Sequence, residues 1–121
     1  DFDEALRLAD RIAIMKDGII EQLDTPDNIV LNPATEYVKK FTQDVPREKV
    51  LKIESIMDSP SSNSSSSIKI SKNEIIETVA ELILNSKDIL TVIDPSNNEI
   101  VGSLDPSKVV KVLFGSTKKN T

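Results

Sequence analysis

Asp1-Phe2-Asp3-Glu4-Ala5-Leu6-Arg7-Leu8-Ala9-Asp10-Arg11-Ile12-Ala13-Ile14-Met15-Lys16-Asp17-Gly18-Ile19-Ile20 sets a helix start, an apolar strand and a tight turn in direct succession. Asp1, Asp3 and Glu4 put negative charge where the positive end of a helix dipole lies. Leu6 and Ala9 fall on one face, so a short helix is expected from about Asp3 to Ala9. Ile12-Ala13-Ile14-Met15 is apolar at every position, the pattern of a strand covered on both sides. Asp17-Gly18 is the strongest short hairpin signal, because the turn needs positive φ. The return strand, Ile19 to Leu23, carries Glu21 and Gln22 and reads as half exposed. A doubly covered strand needs neighbours on its flanks and helices over its faces, more than the downstream residues offer. The stretch reads as part of something larger.

Working outward, Thr25-Pro26 is an N-cap followed by proline at the first helical position, which starts a helix through about Leu31. Asn32-Pro33 ends it. Thr35 to Thr42 reads as a further helix, with Val38 and Phe41 on one side and Lys39 and Lys40 outward. Asp44-Val45-Pro46 marks a boundary, since proline disfavours helix in the residue before it. Val50 to Met57 carries Leu51, Ile53 and Ile56 and is broken by Asp58-Ser59-Pro60. Ser59 to Ser67 holds seven serines with one proline and one asparagine, a composition that cannot bury a core and reads as a flexible loop.

Beyond this loop the character changes. Ile68-Lys69-Ile70 is a short strand, and Ser71-Lys72-Asn73-Glu74 has the form of a capping box. The helix it predicts carries Ile75, Ile76, Val79, Ala80, Leu82 and Ile83 on one face, with Glu74, Glu77 and Glu81 opposite. Ile89 to Ile93 reads as a strand, Asp94-Pro95-Ser96-Asn97-Asn98 as a turn and Glu99 to Gly102 as a second strand. Asp105-Pro106 caps a last helix through Val109, Val110, Val112 and Leu113, stopped by Gly115. The tail from Ser116 is polar and expected to fray. The fold class is α/β (α+β), with domains at 1–46 and 68–115, a connector and serine-rich loop at 47–67 and a tail at 116–121.

Composition excludes several functions. The chain has 121 residues, 38% hydrophobic and 3% aromatic, enough for a modest domain or a fragment plus a small one. Twenty acidic residues against 15 basic give a net charge of −5, and no basic stripe with interleaved aromatics appears, which argues against nucleic acid as a partner. With no cysteine and no histidine there is no disulfide, thiolate or imidazole site and no Ser-His or Cys-His nucleophile. No apolar run approaches the roughly 20 residues of a membrane span. Three glycines in all leave no Gly-rich phosphate loop ending in Lys-Ser or Lys-Thr. Asp1, Asp3, Glu4 and Asp10 resemble a metal cluster only in composition, since hard cations need oxygens held by a shaped loop; helix-start electrostatics accounts for them. Lys39-Lys40 and Lys118-Lys119 read as solvated, so catalytic residues and metal ligands are both none.

The run D-E-A-L-R-L-A-D-R-I-A-I-M-K-D-G-I-I resembles the segment that follows the switch histidine in ATP-binding subunits of ABC transporters. In that family a Thr-His pair precedes the residue matching Asp1. The likeness continues through Gln22-Leu23-Asp24-Thr25-Pro26-Asp27-Asn28-Ile29, similar to the family's G-T-P-E-E-I with Asp24 where glycine is commoner. Asn32-Pro33-Ala34, Tyr37-Val38, Phe41 and Asp44 to Leu51 resemble the glycine betaine/proline (quaternary amine) importer branch. Together these cover about the first fifty residues. The strand, helix, strand, turn, strand, helix order of 68–115, with Ile100-Val101-Gly102 before the last helix, resembles a single βαββα CBS motif.

The resemblance implies the C-terminal portion of an importer ATPase for glycine betaine, proline or a related osmoprotectant. Such a portion lacks the Walker motifs, signature and switch histidine, so it is no enzyme by itself; the parent would use ATP and Mg. It implies a permease and a second ATP-binding subunit as partners, a cytoplasmic location on the inner face of the membrane, and pairing of the CBS-like part with a second copy. CBS motifs that bind nucleotides show Gly, two apolar residues, Thr or Ser, two more residues, then Asp. Counting from Gly102 puts Asp105 at the hydroxyl position and Lys108 at the acid position, so Gly102 and Asp105 are the candidate cleft residues and helix capping is the simpler role for Asp105. The fragment is thus expected to bind no cofactor. The alternative function is a free-standing, non-catalytic regulatory module of CBS type.

Overall fold

The computed structural model describes residues 2–61 and 68–114. Among them are two sheets and five helices, a mixed α+β architecture. The chain divides into two compact units, Asp1–Leu51 and Lys52–Thr121. The sequence expectations for Asp1, the serines of 62–67, the stop at Gly115 and the tail 116–121 lie outside the described residues.

In the first unit, α1 (Phe2–Leu8) leads into an antiparallel hairpin of β1 (Ile12–Lys16) and β2 (Ile19–Asp24). Asp17 and Gly18 both take positive φ, 51° and 80°, as the turn requires. The register shifts between Ile14 and Met15: Ile14 faces Gln22, yet Met15 faces Ile20, so Glu21 is the extra residue of a bulge. The bulge sorts the side chains. Ile14 and Gln22 share the covered face and are buried, whereas Ala13, Met15, Ile20 and Leu23 share the other and are exposed. The expectation of a strand covered on both sides is therefore corrected: the described residues cover one face only.

That face is covered by α2 (Pro26–Leu31) and α3 (Glu36–Thr42). Ile14, Ile29 and Val38 form the core, with Phe2, Ile12 and Tyr37 against it. Phe41 is half exposed but meets Phe2 edge to face, centroids 4.5 Å apart. Thr25 and Thr35 each cap their helix, accepting the Asn28 and Val38 amides at 3.2 Å. Gln22, on the strand expected to be half exposed, is buried because its carboxamide is satisfied there: Oε1 accepts the Ala34 amide at 2.8 Å and Nε2 donates to the Asn32 carbonyl at 3.2 Å.

Asp24 holds a network, accepting the Thr25 amide at 2.8 Å and the side-chain amide of Asn28. The Asn28 hydrogen bond above all, then the Thr25 amide, holds the Asp24 carboxyl below the ordinary aspartate range. A depressed folded pKa adds stability that is complete above the unfolded value, about 3.9, and disappears as pH falls through the folded one. Thermal melts between about pH 5 and pH 2 should therefore show a steeper acid loss for the wild type than for Asp24→Asn; parallel curves would contradict the assignment.

The second unit holds a sheet in the order β3 (Lys69–Ser71), β4 (Leu90–Asp94), β5 (Glu99–Leu104), parallel between β3 and β4 and antiparallel between β4 and β5. The crossover from β3 to β4 runs through α4 (Ala80–Asn85), and α5 (Pro106–Phe114) follows β5. Its core joins Ile70, Leu90, Val92 and Leu104 of the sheet, Ile76, Val79, Ile83 and Val109 of the helical segments, and Ile53 and Ile56.

One sequence expectation is corrected in this unit. Ser71 does not form a capping box with Glu74; its Oγ accepts the Asn73 amide at 3.1 Å. Ile75 stays extended at φ −82°, ψ 154° and pairs with Lys52, and the chain passes through a single 3-10 turn at Ile76–Val79 before α4. Long-range pairing has won over the local cap, because Glu74 gives its carbonyl to the Ile53 amide. The stretch expected as a connector, 47–67, has its described part shared between the two units. Arg47–Leu51 falls in the first compact unit, and Lys52–Asp58 pairs with the second.

Candidate functional site

The corner where β5 turns into α5 gathers the candidate residues. Gly102 is buried against the chain that precedes β3. A methyl group placed on it would sit 2.5 Å from Met57 Sδ and 2.8 Å from the Asp58 carbonyl. Glycine is required here by close approach, its φ being unexceptional. The approach exists because Asp58 and Ser103 exchange both backbone hydrogen bonds at 2.9 Å, and Ser103 Oγ donates to the Ser59 carbonyl at 2.7 Å.

Asp105 caps α5: its Oδ1 accepts the Ser107 amide and the Ser107 hydroxyl, each at 2.9 Å. The amide first, then the hydroxyl, holds its carboxyl below the ordinary range. Lys108 reaches Asp58 instead, Nζ to Oδ1 2.7 Å. The two positions that in a nucleotide-binding pattern would carry a hydroxyl and an acid are thus a cap and an ion pair. Nothing in the sequence pattern singles out Asp58, which lies 50 residues before its partner; only Gly102, ahead of a helix, signals that something must approach closely. Among the described residues no group of three His, Cys, Asp or Glu side chains is placed to hold a metal.

Asp105→Ala should lower stability by about 1 kcal/mol, the usual cost of a lost N-cap, and leave calorimetric titration with ATP as featureless as in the wild type. A micromolar ATP site abolished by the substitution would make Asp105 a ligand contact.

No family model matches the chain. A trimethylamine N-oxide transport system ATP-binding protein of Pelagibacter ubique (strain HTCC1062) is 65% identical over 119 residues, 98% of this chain and 35% of that protein. The protein of the same description from Ruegeria pomeroyi is 40% identical over 115 residues, 94% of this chain and 33% of its own length. A glycine betaine transport ATP-binding protein of Bacillus subtilis is 56% identical over 57 residues, 47% of this chain and 14% of that protein. The chain spans about a third of the length of the first two relatives. It is a homologue of the ATP-binding subunits of ABC importers for trimethylamine N-oxide, glycine betaine and carnitine, matching their C-terminal region.

Proposed function

We propose that this chain is the C-terminal part of the ATP-binding subunit of an ABC importer that takes up trimethylamine N-oxide, glycine betaine or a related small methylated amine. The observation that carries this reading is the 65% identity extending over 98% of the chain. Trimethylamine N-oxide is the first choice of solute, because the relatives matched over 94% and 98% of the chain are named for it, whereas those named for glycine betaine and carnitine match over 34% to 50%. On this reading ATP and Mg are held, and ATP hydrolysed, by residues outside these 121. The subunit works at the inner face of the membrane through a permease and a second ATP-binding subunit; among the described residues no helix is long and apolar enough to cross a membrane itself.

Residues 68–115 serve this subunit as a regulatory module of CBS type, and the β-α-β-β-α order with one parallel and one antiparallel strand pair supports that assignment. The occupied Asp105 and Lys108 favour regulation through pairing with a second copy over adenine-nucleotide binding. Exposed Leu82, Leu84, Val110 and Phe114 supply apolar surface for such pairing.

Uptake of radiolabelled trimethylamine N-oxide and glycine betaine by cells lacking the full-length gene tests the main reading. Loss of trimethylamine N-oxide uptake, restored by the intact gene, supports it; unchanged uptake of both solutes sinks it.

A further inference from the structure

The segment Lys52–Ser59 is fastened at its two ends to the chain ahead of two different helices. At its first end, the Ile53 amide donates to the Glu74 carbonyl at 2.9 Å and the Glu54 amide to the Lys72 carbonyl at 3.0 Å, beside the Lys52–Ile75 bridge. These contacts tie it to the residues leading into α4. At its second end lie the paired backbone bonds of Asp58 and Ser103, the Ser103 hydroxyl on the Ser59 carbonyl, and Lys108 on Asp58. These tie it to the last residues of β5 and the first turn of α5.

Between its ends the segment is internally braced. The Ile56 and Met57 amides donate to the Ile53 carbonyl at 3.1 and 3.0 Å, and Ile53 and Ile56 are buried at 0% and 3% exposure. A short stretch with its own hydrogen bonds and two buried anchors shifts as one piece, since a packed core resists local deformation. We infer that Lys52–Ser59 is a mechanical relay: a displacement at the start of α5 is passed through Ser103 and Lys108, along the segment, to Glu74–Ile75. Coupling between sites is carried by hydrogen-bonded and packed networks, and these contacts form one. The inference does not depend on the transported solute or on nucleotide binding.

Amide hydrogen exchange of the full 121-residue chain, read residue by residue by NMR, tests it. Lys108→Gln removes one surface ion pair and leaves the core intact; Ser103→Ala removes the hydroxyl contact to Ser59. The expected result is exchange about threefold faster at Ile53 and Glu54, the size of change a lost surface ion pair gives in Lys108→Gln and a lost neutral hydrogen bond in Ser103→Ala. Neither substituted side chain bonds to those amides. Val92 and Ile93 should keep wild-type rates, marking an intact sheet; if Ser103→Ala opens the sheet, Lys108→Gln decides. Wild-type rates at Ile53 and Glu54, whatever happens at Asp58 and Ser103, would overturn the relay.

Discussion

Ile53→Ala is expected to destabilise the second unit by about 2–5 kcal/mol, the range for truncating a fully buried isoleucine. Ile53 is 0% exposed although its sequence context, between a proline boundary and a serine-rich run, is that of a linker. Deleting its side chain leaves a cavity beside a segment whose path is fixed at both ends, so the surroundings cannot easily collapse into it. For a unit of this size each kcal/mol moves the melting midpoint by about 4–8 °C, so calorimetry resolves the effect readily. A loss below about 1 kcal/mol would mean that Lys52–Met57 is a dispensable lead.

Gly102→Ala should cost about 1–3 kcal/mol through overpacking. Of the two close neighbours of the added methyl, Met57 Sδ can swing away, but the Asp58 carbonyl is backbone and is held by the Ser103 amide. Met57→Ala in the same chain should therefore rescue only part of the loss. The two changes should be non-additive, as expected for residues in contact. Gly18 offers the contrast: a methyl there meets nothing within 4 Å, and the penalty comes from φ +80° alone. Full rescue by Met57→Ala would show that the backbone approach is softer than described.

The features readable in the sequence are those decided within a few residues. The Asp17-Gly18 turn, the Thr25-Pro26 cap and the Asp105-Pro106 cap need only local backbone geometry and an adjacent hydroxyl or carboxylate, and each stands where the residue types place it. Ser71 failed as a capping box because the Glu74 carbonyl is taken by a residue 21 positions earlier, information that no window around Ser71 contains. The inward turn of Gln22 is likewise hidden, since it depends on polar partners at Asn32 and Ala34. Asp58 and Lys108 meet across 50 residues, and charges at that separation leave no periodic trace.

The hairpin also sets how this polypeptide behaves in concentrated solution. Ala13, Met15, Ile20 and Leu23 form an apolar outer face on a two-stranded ribbon, and strands β1 and β2 have no further strand beside them among the described residues. Free edges next to such a face are a template for strand addition between molecules. Lys16 and the bulged Glu21, the charges within the two strands before Asp24, reach toward α3 instead, Lys16 over the Tyr37 ring at 5.1 Å and Glu21 accepting the Thr35 hydroxyl at 3.0 Å. Solubility of the separate chain should thus be limited by this ribbon, and a lysine at Met15 or Ile20 is the simplest gatekeeper to relieve it.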